Sequence, residues 1–359
     1  MPATAPPPVA SPPTPAPARH RAWLRVAATQ QGALVILLIV EIVTFSAIGT
    51  HFFTTGNAFE ILRLSVELGL LAVALTPVII SGGIDLSVGS MLGLAAVLFG
   101  KMWRDGHLPI GAAAAGALAV GAIGGGLNGL LITRGRIPPL IVTLGSYSLF
   151  RGLAEGIAGP NNYTHFPDPF LFLGQGYLPG GIPAQLPIFI LVVAVFWALQ
   201  HRLTFGRALV AIGFAPEGAR YAGIHVERKL MGVYVLSGFI ASLAAIIYVA
   251  HAGQAKADAG TGYELLAITA VVLGGTSIFG GRGSIHGTLL GLFTIAVLER
   301  GLRLADQPAE LADILSGVLL ILSIVVNQLL SKGSARRSKR LTPGPVLPQT
   351  AGVESTSVA

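Results

Sequence analysis

The chain has 359 residues, of which 53% are hydrophobic and only 11% charged, and its mean hydropathy is +0.73. A soluble domain carries about 25% charged residues, so this composition excludes a water-soluble globule and points to a bilayer as the solvent. Without cysteine there is no disulfide, thiolate metal site or cysteine nucleophile.

Residues 1–18 hold eight prolines and cannot bury a core, so 1–30 is expected to be a disordered tail. The first apolar run starts near Gly32. It is long enough to span, which makes it a helix rather than a cleaved signal segment. Apolar runs place spans at roughly 33–49, 61–81, 86–103, 110–132, 139–158, 187–200, 230–250, 266–280, 286–304 and 311–330, about ten in all. Two of them are short. Residues 187–200 follow Pro187, and 266–280 end in a glycine cluster; this eighth span is the one expected to be broken. Trp23, Trp103 and Trp197 fall near span ends, where interfacial anchors belong. The expected fold is an all-α polytopic membrane domain over 31–331, followed by a basic disordered tail over 332–359.

Basic residues orient this domain. With the N-terminus inside, sixteen of the 23 Lys and Arg residues fall in inner segments and only Lys101, Arg104 and Lys256 in outer loops. Residues 159–186 contain neither Lys nor Arg. This bias predicts both ends inside and an even number of spans. It also assigns the net charge of +7 to the inner lipid surface rather than to nucleic acid.

The two halves carry a weak two-fold internal repeat. Residues 79–94, IISGGIDLSVGSMLGL, and 271–292, VVLGGTSIFGGRGSIHGTLLGL, each run from an apolar stretch through a glycine pair into a new helix. Gly83 aligns with Gly275 and Gly89 with Gly287; membrane transporters are often built from such repeats.

Three segments could carry chemistry. In the first, Gly82 and Gly83 relieve backbone crowding where a helix breaks. Asp85 can accept from the amides at Ser87 or Val88 as a cap on the next helix; it can also serve a substrate path or hinge, because a carboxylate at membrane depth must be satisfied locally. The second, residues 201–229, reads as the long hydrophilic inner loop. Pro216 and Glu217 resemble a helix start, and Gly223 would end a short helix. Such a helix suits the docking of a soluble partner, and an ordinary solvated loop is the other reading. In the third, residues 127–152, Asn128 is an amide near the inner end of a span, and Thr143, Ser146, Tyr147 and Ser148 give the next span a polar side. They could line a hydrophilic path or bond helix to helix. Arg151 and Glu155, four apart, are expected to pair. Glu41 and Glu67 also lie in spans and should face a helix partner or a cavity. Glu299, Arg300 and Arg303 are expected to form an interfacial ion cluster.

Other chemistry lacks its residues. The single Gly-Lys pair, Gly100-Lys101, has neither the upstream Gly nor the following Ser or Thr of a phosphate loop, and there is no HExxH. No cofactor or metal is expected on this chain, and ATP hydrolysis by the chain itself is not expected.

At this point a resemblance becomes specific. SGGIDLSVGS at 81–90 resembles the hallmark of inner-membrane permease subunits of bacterial sugar ABC importers, the ribose, xylose, galactose and rhamnose group that also includes importers of a furanone autoinducer. NGLLITRGRIPPLIVTLG at 128–145, AIGFAPEGARYAGI at 211–224, VYVLSGFIASLAAI at 233–246 and YELLAITAVVLGGTSIFGGRGS at 263–284 are similar to further stretches of that family, in order, over about 33–330. Ala215 and Gly218 depart from its usual Asn and Ala. The resemblance implies a transmembrane subunit working with a second permease copy or sister permease, two ATPase subunits that hold the ATP-Mg, and a periplasmic sugar-binding protein. It makes Gly213, Pro216, Glu217, Gly218, Ala219, Arg220 and Gly223 the ATPase-coupling stretch. Gly82, Gly83, Asp85, Ser87, Asn128, Thr143, Ser146, Gly274 and Gly275 are the candidates for the pathway or its hinges. The alternative is an ion- or proton-driven carrier acting without an ATPase, for which Asp85, Glu41 and Glu67 would have to form the relay.

Overall fold

The computed structural model describes residues 30–308, 310–312 and 314–325. Trp23 and both expected tails lie outside these residues, apart from Gln30. The described residues are mostly helical. The helices are α1 (Gln30–Ile48), α2 (Thr55–Leu64), α3 (Val66–Ile80), α4 (Val88–Arg104), α5 (Ile110–Thr133), α6 (Pro139–Ala158), α7 (Asp168–Gln175), α8 (Leu186–His201), α9 (Thr204–Phe214), α10 (Pro216–Tyr221), α11 (Val226–Ala252), α12 (Tyr263–Leu273) and α13 (Ile285–Leu304), with a further helical stretch over 314–325. A two-residue-per-strand hairpin, β1 (Tyr177–Leu178) and β2 (Ile182–Pro183), pairs Tyr177 with Pro183 and Leu178 with Ile182.

Among the described residues, α1, α5, α11 and α13 are each long and apolar enough to cross a membrane. Two bent pairs raise the number to six: α2 with α3 turns by 49°, and α8 with α9 by 64°. The run read as one span over 61–81 is therefore the second half of a bent element, with its corner at Ser65. The reading of 201–229 as one hydrophilic loop is corrected too. TFGRALVAIGF folds as α9 and buries Gly206, Ala208, Leu209 and Ile212, because its apolar residues recur at helical spacing. The segment expected to break does so: α12 has only 11 residues, and the chain leaves it at Leu273.

At the centre, all fifteen residues of α3 are buried. α11 packs on α3, α4 and α5. Its crossing with α5 is glycine-lined, with Gly121 against Gly238 and Ser242, Gly125 against Tyr234 and Gly129 against Met231, the small-residue contact that lets membrane helices approach without a hydrophobic driving force. The long 159–185 connection is held by aromatic packing: Phe166 stacks on Phe99 and Trp103 with ring centres 5.6 and 4.6 Å away. Trp103 thus serves protein packing, and Tyr163 bridges to Ala255.

The repeat has a structural counterpart moved by one residue. α3 ends with Gly82 N–H bonded to the Ile79 carbonyl and Gly83 N–H to that of Val78; α12 ends with Gly275 N–H bonded to Val272 and Thr276 N–H to Val271. The same paired C-terminal turn closes both helices. The glycine that adopts the left-handed φ it requires is Gly82 (+85°) in one and Gly275 (+93°) in the other. Backbone geometry therefore pairs Gly82, not Gly83, with Gly275.

Candidate functional site: a buried polar chain beside an exposed short helix

The break between α3 and α4 brings together five of the residues singled out by sequence. Asp85 is 1% exposed. Its Oδ1 accepts from Ser87 N–H at 3.0 Å and from the Ser87 hydroxyl at 2.6 Å. Its Oδ2 accepts from the Ser237 hydroxyl of α11 at 2.8 Å. Asn128 of α5 donates to Ser87 Oγ at 2.9 Å, and the Ser146 hydroxyl of α6 donates to Asn128 Oδ1. Thr143 donates to the Ile84 carbonyl at 3.0 Å. The result is one directed chain, Ser146 to Asn128 to Ser87 to Asp85, that ties α5, α6 and α11 to a segment without helical hydrogen bonds of its own. Each bond polarises the next in a low-dielectric interior. Asp85 accepts from the Ser87 amide as expected of a cap, but the N-cap position itself is Ser87, so Asp85 also acts at a distance, across to α11.

Ser237 and its neighbour Tyr234 were not picked out from sequence. Tyr234 is fully buried, its hydroxyl lies against Gly83, and it has no hydrogen-bond partner among the described residues. Polar residues at 234, 237 and 242 recur at helical spacing on the face of α11 that meets α3, α4 and α5; that periodicity was the available signal.

Gly274 and Gly275 belong to the other break, away from Asp85. A side chain at Gly274 would meet the Gly287 backbone, and Gly275 faces Gln30. The two breaks are joined farther along. Gly281 N–H bonds the Ile80 carbonyl at 2.8 Å, closing the last turn of α3. A side chain at Gly213, near the end of α9, would collide with Ile80 and Gly281, and one at Gly280 would meet Gly82 and Gly213. Three glycine-rich backbone stretches thus touch with no side chain between them.

Gly213 leads directly into α10. Pro216 stands at its first position, and Gly223 (φ +81°) ends it, with Ile224 N–H bonded to the Ala219 carbonyl. Ala219 is buried in an apolar cluster with Val226, Val233 and Tyr234. The other face is open: Glu217, Gly218 and Arg220 are exposed, and Tyr221 is 92% exposed. Arg220 clamps the helix to α11, reaching Glu227 at 2.7 Å and Glu217 at 2.5 Å. Its hydrogen bond to Glu227 and the charge of Glu217 raise its pKa further, so the cation persists throughout the physiological range. Phe214 and Phe279, each 73% exposed, extend this outward face. Neither aromatic was picked out from sequence.

Other expected pairs resolve differently. Arg151 donates to the carbonyls of Ala257 and Ala259 rather than to Glu155. Glu67 pairs with His251 at 2.9 Å. Arg300 donates to Asn57 Oδ1 at 2.7 Å, and Glu299 and Arg303 line the same small pocket. Glu41 is buried on α1 with Oε2 unpartnered among the described residues. Glu67 and Asp85 flank opposite ends of α3, whose fifteen residues extend about 22 Å, so they form no contiguous relay. Among the described residues no group of three or more metal-ligating side chains occurs.

Broken apolar helices around a buried polar chain, with a short helix left outside, define a multi-pass membrane protein with the interrupted helices that transporters use. Residues 57–324 match the family described as branched-chain amino acid transport system / permease component, and the chain belongs to that permease family. It is 41% identical over 303 residues to the autoinducer 2 import system permease protein LsrD of Photorhabdus laumondii, covering 82% of this chain and 89% of that one. The LsrD proteins of Escherichia coli K12 (38% over 300 residues; 82% and 90% covered) and Photorhabdus luminescens (40% over 309; 81% and 89%) are similarly related. No solved structure matches the chain. The resemblance to sugar ABC importer permeases read from the motifs therefore stands, and the chain is a multi-pass inner-membrane protein.

Proposed function

We propose that the chain is the membrane-spanning subunit of an ATP-driven importer for a small polyhydroxylated molecule, a monosaccharide or a furanone. The relatives named as autoinducer 2 permeases make that furanone the first substrate to test, ahead of the pentoses and deoxyhexoses suggested by the motifs. The apolar runs favour ten crossings of the inner membrane, and the basic-residue bias favours an even number with both ends in the cytoplasm. It pairs with a second permease, receives substrate from a periplasmic binding protein and binds two ATPase subunits, which hold the ATP-Mg.

The observation that carries this reading is α10, a helix anchored by Ala219 on one side and exposing Tyr221 on the other, beside the exposed Phe214 at the end of α9 and Phe279 in the loop after α12. Exposed aromatics beside an arginine are the composition of an interface hot spot. When the ATPases close on ATP, a shift of α10 passes through Gly213 to the Ile80 carbonyl and to Gly281, so both helix breaks receive it. Close backbone contacts carry such a displacement with little give, since no flexible side chain lies between them. The chain ending on Asp85 holds the first break in register with α5, α6 and α11 while this happens. Alternating access then follows from a rocking of the elements on either side of the breaks.

The test uses Arg220→Glu, which turns the clamp into repulsion with Glu217 and Glu227. Membrane insertion is expected to be retained, while stimulated ATP hydrolysis and autoinducer 2 uptake by the reconstituted importer are lost. Tyr221→Ala should leave detergent stability unchanged and weaken ATPase binding about tenfold or more. Wild-type uptake with Arg220→Glu would remove α10 from the coupling path.

A further inference from the structure

The corner between α8 and α9 gathers cations that find no carboxylate. Above it, Ile190, Leu191 and Val195 are exposed on a bent helix pair apolar enough to cross a membrane, so this face meets lipid. At the foot of α8, Trp197 donates its indole N–H to His286 Nε2 at 2.7 Å, which fixes the ring. The Arg202 guanidinium lies over that ring, 5.2 Å from its centre. Lys229 of α11 stands likewise over Phe205 in the first turn of α9, 5.2 Å from the ring centre. Stacking on a ring positions a cation but leaves its N–H donors for a further acceptor. Arg202, Lys229 and their neighbours Arg207 and Arg228 make no ion pair among the described residues, and the carboxylates closest in sequence, Glu217 and Glu227, are already held by Arg220.

We propose that this corner binds an anionic membrane lipid, with the headgroup phosphate on Arg202 and Lys229 and the acyl chains along the exposed face of α8. Three features select a lipid over a soluble protein. The cations adjoin a lipid-facing helix. They rest on aromatic rings, and Trp197 is of the type that settles at headgroup level. They belong to the basic side of the chain, where anionic headgroups attract Lys and Arg. Arg202 ends α8 and Phe205 lies just inside α9, so a bound lipid braces both limbs of the 64° bend. The inference needs only that α8 and α9 sit in the bilayer; it needs neither an ATPase nor a transported substrate.

The test titrates the purified full-length chain, in a neutral detergent, with phosphatidylglycerol, phosphatidylcholine or inorganic phosphate, read by melting temperature. Phosphatidylglycerol is expected to raise the midpoint saturably, and the other two are not. Arg202→Gln and Lys229→Gln should each weaken the apparent phosphatidylglycerol affinity about fivefold, the worth of one basic residue at a lipid surface. Arg134→Gln, which removes a charge from the turn after α5, should leave it unchanged. The lipid-free midpoint of each variant is its own baseline, so a loss of folding is not read as a loss of lipid. Equal stabilisation by phosphatidylcholine overturns the headgroup site, and an equal response to inorganic phosphate assigns the cations to a soluble anion and overturns the lipid. Unchanged affinity in both corner variants, or an equal loss in Arg134→Gln, also overturns the proposal. No headgroup preference in the chain alone, with ATPase binding weakened by Arg202→Gln, would assign the corner to a protein partner instead.

Discussion

The break after α3 and the break after α12 solve the same problem by different means. Both helices stop inside the protein with the same backbone turn and a left-handed glycine. The first break is then secured by side chains: Asp85, Ser87, Asn128, Ser146 and Ser237 in one hydrogen-bonded chain. The second relies mainly on backbone proximity, with Gly274 against Gly287 and Gly291 against Ala270, and only the Gln30 side chain reaching the end of α12. A side-chain lock is directional and can be undone one hydrogen bond at a time. A glycine contact has no such intermediate: it is closed, or the helices have moved apart. The first break is therefore the adjustable member of the pair, and the second the stiffer one.

Substitutions can break this contrast. The largest effect is expected for Asp85→Ala, which strands the Ser87 amide and hydroxyl and the Ser237 hydroxyl in a buried site. A loss of about 3–5 kcal/mol is expected, read as a lowered unfolding midpoint in detergent, with Asp85→Asn losing about half because one acceptor remains. Gly274→Ala comes next, at about 1–3 kcal/mol for an overpacked backbone crossing, measured in the same way. If Asp85→Ala proves milder than Gly274→Ala, the side-chain lock is not the stronger determinant at the first break. The smallest effect tests the seam between the halves. Thr76 and Thr288 share a hydroxyl hydrogen bond at 2.7 Å, and a double-mutant cycle with Thr76→Val and Thr288→Val should give a coupling of about 0.6 kcal/mol, the average for such bonds in a membrane bundle. A coupling of zero would mean that the breaks communicate only through the glycine junction.

Much of the helical layout was legible in the chain. Pro138-Pro139 and Gly159 set the ends of α6, and the glycine cluster after Leu273 announced the short α12. Asp85, Ser87, Asn128, Thr143 and Ser146 stood out as polar residues in apolar surroundings, and the structure gathers them. What was not legible depends on a third dimension. The bend at Ser65 has no glycine or proline to mark it. α9 was hidden because Thr204, Arg207 and the glycines dilute its hydropathy, although its apolar residues keep helical period. Ser237 lies 152 residues from Asp85, and no local pattern links them. Arg151 found carbonyls 106 and 108 residues away rather than the carboxylate four residues on. The one-residue offset of the repeat was invisible for a related reason: sequence aligns glycines by identity, whereas the backbone aligns them by φ.

Gln30, at the start of α1, donates its side-chain amide to the carbonyls of Val272 and Leu273 at 3.2 and 3.3 Å, taking up the open end of α12. α1 also packs along α13, with Phe45 seated over Gly301. Its partners thus lie about 240 residues downstream. At roughly 5–20 residues per second, α1 waits on the order of 12–50 s for the segment it completes. A chain halted before residue 263 would carry α1 as an unclaimed helix in the lipid, which makes the arrival of α12 and α13 the event that fixes its place during biogenesis.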